Sequence, residues 1–349
     1  METFETLVRA EFAAKNTYLN TASTGLLPAR TVTAMRAAVD SVAAGRPADM
    51  FADVEAARAS FARLVGVPGR RVAAGASVAV YSGLIAASLP PGAEVLTAEA
   101  EFSSVVTPFH VRGDLKVRAV PLERMAESVH SGTALVAVSA AQSADGRTAD
   151  LGGIREAARE HGARTYVDAS QAAGWLPLRA GAFDFVSSVA FKWLVCPRGV
   201  AFLVVPEDFG GLTPVFAGWV AGEAPWDSCY GPVEELAHSA RRFDESPALF
   251  AYAGARHSLE LLEELGVERI HEHDLALADR FRAGLRERGH TPVPAPDSPI
   301  VSVPGLGRLQ GELSRAGVEV SDRAGHLRAA FHLYNTPDDV DRLLDALPG

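Results

Sequence analysis

The chain has 349 residues, 48% hydrophobic and 22% charged, and its 33 Lys and Arg against 43 Asp and Glu leave a net charge of −10. That is an ordinary globular composition in a chain too long for one simple core, so two lobes sharing one site are expected. The acidic balance argues against nucleic acid or an anionic membrane as the main partner; with no run of about 18 apolar residues and no signal-like opening segment, the expected location is the cytoplasm.

Residues 1–15 carry Phe4, Leu7, Val8 and Phe12 at helical spacing and predict an amphipathic helix. Tyr18 to Pro28 reads as a short strand entering a polar loop. Residues 53–65 predict a helix with Val54, Ala57, Phe61 and Leu64 on one face and Gly66 as its stop. A strand-like run from Arg71 then breaks through Gly75, Ala76 and Ser77 into a helix reaching about Leu89. Such a helix start offers free amides and a positive dipole end to an anion.

Strands at 94–96 and 134–138 each run into a polar turn, Glu101 to Ser104 after the first and Gln142 to Gly146 after the second. Residues 165–167, 183–189 and 200–204 read as further buried strands. The first two deliver Asp168 and Lys192 to one edge, and open α/β sheets bind ligands there. Cys196 and Cys229 have neither metal-site nor disulfide spacing and read as packing or incidental thiols. Residues 221–232, with Trp226 and Tyr230, read as a loop of the kind that borders a site. From Ala251 the period is helical, through Leu259, Leu262, Leu265, Ile270 and Leu275, before a strand at 300–303 and a closing helix at 340–347. His271 and His273 lack further ligands at useful spacing and read as a solvated helix face, so no metal site is expected.

An amine and a carboxylate leaving neighbouring strands match the needs of pyridoxal phosphate: the lysine forms a Schiff base, and the aspartate keeps the ring nitrogen protonated so that the ring acts as an electron sink. The run Val167-Asp168-Ala169-Ser170-Gln171, then Ser187 five residues before Lys192, then Pro197-Arg198-Gly199, resembles the class V aminotransferase and cysteine desulfurase family of fold-type I enzymes. The resemblance extends from Tyr18 to Asp341. It implies an α/β fold-type I architecture, with a large domain at 16–248 built on a mostly parallel seven-stranded sheet and a smaller α+β domain from 1–15 and 249–349.

On this resemblance pyridoxal 5'-phosphate is the cofactor, Lys192 its Schiff-base lysine, Asp168 the partner of the ring nitrogen and Gln171 the donor to the ring hydroxyl. Ala76, Ser77 and Val78 correspond to the phosphate loop, with Val78 in place of the usual acid. Phe102 stands where the family has a ring-stacking His; it can cover the pyridine face but carries no proton, which leaves acid and base work to Lys192. Gln142 is implied as a cofactor or substrate contact, although Ser143 beside it departs from the family's Asn. Ser246 would reach across a two-fold interface to the other subunit's phosphate, which implies a homodimer. Arg328 would take the substrate α-carboxylate through its planar fork, with Ala22 and Ser23 near the substrate. On residues alone, Phe102 also reads as core, Gln142 and Ser246 as plain turns, residues 22–24 as a loop and Arg328 as half of a surface ion pair.

The expected function is therefore an enzyme that removes the Cα proton of a small-molecule α-amino acid. The first expectation is β-elimination from a cysteine S-conjugate, with an aminotransferase, or an epimerising or decarboxylating relative, as the alternative. A cofactor-binding regulator is the non-enzyme alternative, against which Lys192 speaks. Cysteine desulfurases carry a nucleophilic Cys shortly before the Arg; residues 318–327 contain none, so persulfide chemistry is not expected.

Overall fold

A computed structural model describes residues 3–46 and 49–348; Met1 and Glu2 of the expected first helix lie outside the described residues. The strands are β1 Thr17–Tyr18, β2 Val72–Gly75, β3 Glu94–Ala98, β4 Lys116–Val120, β5 Thr133–Ser139, β6 Arg164–Asp168, β7 Phe185–Val189, β8 Ala201–Val204, β9 Ile300–Val303, β10 Val318–Glu319, β11 Ser321–Arg323 and β12 His326–Ala330. The helices are α1 Phe4–Glu11, α2 Ala29–Ala43, α3 Met50–Leu64, α4 Val78–Ser88, α5 Ser103–Val111, α6 Leu151–His161, α7 Leu249–Leu265, α8 Val267–Glu287, α9 Gln310–Arg315 and α10 Pro337–Asp345.

Seven strands form the main sheet in the order β2-β8-β7-β6-β5-β3-β4. β8 runs antiparallel to both its neighbours and the other pairings are parallel. The fold is thus the mostly parallel α/β architecture of fold-type I enzymes. β6, β7 and β8 are buried almost throughout, which is why their sequences run apolar without alternation. Both faces are covered: Phe61, Trp175 and Leu262 belong to the core on one side, Tyr81, Ile85 and Phe109 to the core on the other. α4, almost wholly small and apolar, can sit buried on most of its circumference.

Element ends differ from the sequence reading where caps decide them. α3 starts before residue 53 because the Asp49 side chain accepts from Phe51 N and Ala52 N. α10 starts at Pro337, ahead of 340, because Thr336 and Asp339 form a capping box. By contact, α7 packs mainly on α2 and α3, beside the large sheet. β9, β11 and β12 form a smaller antiparallel sheet. β1 pairs with β10, and Ala330 N donates to Leu19 O at 2.8 Å, so the loop from Asn20 to Gly25 is carried on the smaller sheet. His271 and His273 are not a solvated face: the His271 ring stacks 5.7 Å from Trp175, and His273 Nε2 lies 3.0 Å from Asn335 O. No helix among the described residues is long and apolar enough to cross a membrane.

Candidate active site

Asp168 ends β6, in register with Ser139 of β5 and Ser187 of β7. Its Oδ1 accepts from Ser170 N at 2.9 Å and from Ser170 Oγ at 2.6 Å, and Ser170 Oγ accepts in turn from Val189 N at 3.0 Å. One serine thereby ties the ends of β6 and β7 together around the carboxylate. Burial pushes the Asp168 carboxyl above its ordinary value, while the Ser170 hydrogen bonds and the Lys192 charge pull it back.

Lys192 follows β7 in a buried turn whose backbone tolerates no bulk beside it. Gly25 N donates to Phe191 O at 2.9 Å, and a Cβ on Gly25 would collide with the Lys192 carbonyl. Gly174, at φ +110°, lies as close to the Trp193 carbonyl. That same carbonyl is held by His332 Nε2 at 2.9 Å, while His332 Nδ1 lies 2.7 Å from Asp274 Oδ2 with both side chains fully buried. Because a carbonyl only accepts, Nε2 carries a hydrogen, and one further proton is shared between Nδ1 and Asp274. The lysine turn is therefore clamped from the smaller lobe. Burial lowers the Lys192 amine from 10.5 to about 8; Asp168 opposes the shift and Arg328, Arg198 and Arg323 add to it.

Lys192 Nζ lies 5.2 Å from the Phe102 ring centroid and 5.9 Å from that of Phe191. Phe102 is 43% exposed at the start of α5, so it is a cleft wall and not core. The corner beneath it is built by the buried carboxylate of Glu101. Oε1 accepts from Phe102 N at 2.7 Å and Ser139 Oγ at 2.6 Å, and Oε2 from Ser139 N at 2.8 Å and Gln142 Nε2 at 3.0 Å. Gln142 thus spends an amide hydrogen on Glu101, below the cleft. Gln171 is similarly engaged: Nε2 donates to Ala22 O and Ser143 Oγ, both at 2.9 Å, and Oε1 accepts from Trp193 Nε1 at 2.7 Å. With both hydrogens and the oxygen in use, Gln171 braces the loop at Ala22 against the lysine turn.

The cleft above these groups measures about 410 Å³ and is lined by Ala22, Ser23, Ser77, Val78, Phe102 and Lys192 among others. Ser77 caps α4, its Oγ accepting from Val80 N at 3.4 Å, so the start of α4 faces the cleft. Glu245 Oε2 accepts from Ala76 N at 3.2 Å, on the amide an anion would seek. Ser246 is exposed and is not part of the cleft wall within one chain, nor is any residue from 221–232. Arg328 is buried behind the wall. Its Nε donates to Ser321 Oγ at 3.1 Å, Nη1 to the Ser143 carbonyl, and Nη2 to Ser23 Oγ at 2.7 Å. Burial pulls its guanidinium down to about 9.

Ser170, Glu101, Phe191, Arg198 and Arg323 complete the site and were not singled out from the sequence. The Asp168-x-Ser170 spacing could have revealed Ser170, because a short hydroxyl two residues on bonds back to an Asx side chain. Arg198 stands inside the Pro-x-Gly run, whereas Arg323 carries no local signal at all.

A buried strand-end carboxylate, an amine of lowered basicity within reach of an aromatic face, and an open helix start at one cleft form the donor set that pyridoxal phosphate requires. Residues 17–306 match the family described as Aminotransferase class-V. The chain belongs to the class-V aminotransferase family. As a member it is a pyridoxal-phosphate-dependent enzyme, which sets aside the non-enzyme alternative. It is 31% identical to the isopenicillin N epimerase of Streptomyces clavuligerus, over 94% of this chain and 93% of that protein. It is 27% identical to the uncharacterized aminotransferase YcbU of Bacillus subtilis strain 168, over 84% and 82%. Among solved structures it shares the fold of the cystine C–S lyase C-DES in complex with cysteine persulfide, with a TM-score of 0.87 at 22% identity, covering 98% of each chain. The apo cysteine desulfurase of Thermococcus onnurineus NA1 superposes with a TM-score of 0.86 at 21% identity, covering 99% of this chain and 97% of that one.

Proposed function

We propose that this class-V aminotransferase relative is a C–S β-lyase acting on a cysteine S-conjugate. One observation carries the reading: among the described residues of the cleft wall, Lys192 is the side chain whose basicity, lowered to about 8, suits it to take a proton near neutrality. β-Elimination of a thiolate asks for a single base, since a leaving group with a pKa near 8.5 departs without an acid. Epimerisation would need a second proton carrier opposite the first, and Phe102 cannot supply it.

Bound pyridoxal phosphate supplies the electron sink. Lys192 Nζ would take the Cα proton, and an amine lowered to about 8 is a competent base near neutrality. Asp168 would keep a proton on the ring nitrogen, and Phe102 would cover the ring. The amides of Ala76, Ser77 and Val78 would hold the phosphate, and the Glu245 carboxylate on Ala76 N would have to give way to it. Arg328 receives the α-carboxylate, and its remaining N–H sits beside Ser23 on the cleft wall.

Neither cysteine suits persulfide chemistry. Cys196 is buried against Leu194 O with its thiol pushed up by desolvation, and Cys229, although exposed, is not on the cleft wall. The likeness to YcbU favours transamination as a second reading, in which Lys192 would both take up and return the proton.

We also propose a homodimer in which Ser246 reaches the partner's phosphate loop. It is exposed beside Glu245, and an apolar hollow between α4 and α5, with Val111 77% and Phe216 49% exposed nearby, offers a face to cover. Two free cysteines, one exposed, suit a reducing compartment such as the cytoplasm. The test follows pyruvate, ammonia and the visible cofactor band during incubation with S-substituted cysteines and ordinary amino acids. Catalytic release of pyruvate and ammonia with the band restored supports the lyase. A single stoichiometric conversion, reversed only by a keto acid, sinks it in favour of the aminotransferase.

A further inference from the structure

We infer that the cleft selects an amino acid whose side chain ends in a second anion, held at the mouth by Arg198 and Arg323; this rests on the reading of the cleft as an α-amino-acid site. Lys192, Arg198 and Arg323 line the cleft and Arg328 lies directly behind it, against one carboxylate, Asp168, on the wall. Elsewhere arginines such as Arg58, Arg147 and Arg280 sit in ion pairs at 2.6 to 2.9 Å. Among the described residues none of Arg198, Arg323 and Arg328 does. Other described arginines, Arg71, Arg164 and Arg308 among them, also lack an ion pair and bond backbone carbonyls instead; at the cleft, three such cations gather beside a single wall carboxylate.

In place of carboxylates, these three side chains converge on two neighbouring hydroxyls of one loop. Arg323 Nη2 and Arg328 Nη2 both donate to Ser23 Oγ, at 2.9 and 2.7 Å, and Arg198 Nη2 donates to Thr24 Oγ1 at 3.0 Å. Two guanidinium groups meeting at one neutral oxygen repel each other, and a hydroxyl satisfies few of their N–H donors. A bound carboxylate relieves both deficits. The Arg198 guanidinium also stacks 4.0 Å above the Phe191 ring, itself on the cleft wall, and this orients the fork before any ligand arrives.

Depth separates the roles. Asp168, Lys192 and Arg328 are buried, whereas Arg198 and Arg323 are exposed. With the α-carboxylate assigned to Arg328, the two exposed arginines are left for a group farther along the substrate. The ligand class is a carboxylate or comparable anion at the end of the side chain, such as an S-(carboxyalkyl)cysteine in the lyase reading.

The experiment is calorimetric titration of the holoenzyme with unreactive glutarate and butyrate, which differ by one terminal carboxylate. Glutarate is expected to bind at least about tenfold more tightly, as one charge-assisted contact provides. Arg198→Gln and Arg323→Gln should each remove most of that advantage and leave butyrate affinity within about twofold, with the melting temperature as wild type because both residues are exposed. Arg328→Gln should weaken both ligands. Equal binding of glutarate and butyrate by the wild type, or variants that weaken the two alike, overturns the inference. The titration involves no turnover, so it fails separately from the functional reading. A glutarate preference without turnover of any amino acid would upset the reaction and leave the anion site standing. Catalytic pyruvate release with no glutarate preference would do the reverse.

Discussion

In the cofactor-free protein Lys192 is held in a buried turn that lowers its amine from 10.5 to about 8. For a base, a folded-state value below the unfolded one means that the unfolded chain binds the proton more tightly. At pH 7 the amine is charged in both states, and at 1.36 kcal/mol per unit the native state is penalised by about 3 kcal/mol. The attraction to Asp168 is already contained in that value. Lys192→Met keeps the length and removes the charge, so the apo variant should be more stable than the apo wild type by up to about 3 kcal/mol at pH 7. The gap should hold below about pH 8, shrink as pH rises toward 10.5 and largely vanish there, because the wild type then folds with a neutral amine at no extra cost. Urea unfolding of both apo proteins from pH 6.5 to 10.5, followed by circular dichroism, measures the gap. A variant less stable than wild type at pH 7, or a gap that does not change with pH, would refute the argument that desolvation dominates at Lys192.

Three further outcomes follow from the same geometry. Asp168→Asn should keep the fold, since Asn can accept from Ser170, but lower kcat by on the order of 10² or more in steady-state assays, because an amide does not hold the ring proton. Gly25→Ala should lower the melting temperature sharply, at a cost of about 1–3 kcal/mol or more, because its Cβ meets the Lys192 carbonyl; Gly69→Ala, with open space around it, serves as the control and should be near neutral. His332→Leu strands a buried carboxylate and the Trp193 carbonyl and should cost on the order of 3–5 kcal/mol by denaturant titration. Asp274→Asn should cost much less, since its amide can donate to Nδ1 while Nε2–H still reaches Trp193 O.

Asp168 and Lys192 were legible because strand-end position is a local property. A β-branched run followed by a polar residue states where the strand stops, and the parallel order then puts both residues at one edge. The start of α4 was legible for the same reason, as Ser77 caps from within its own turn. Side-chain direction was not legible. Gln171 directly follows the serine that bonds Asp168, yet its amide is spent on Ala22, 149 positions away, and Gln142 on Glu101, 41 positions away.

By itself the sequence determined the family, the sheet and the strand-edge placement of Asp168 and Lys192, since motif spacing and hydrophobic period act over a few residues. Only the tertiary structure decided what surrounds that pair: the His332–Asp274 clamp on the lysine turn, the Glu101 corner under Phe102, and Arg323 meeting Ser23 from 300 positions away. Each joins segments that no local propensity relates. Their meeting is set by how the smaller sheet docks on the larger one, and packing of the whole chain is what fixes that docking.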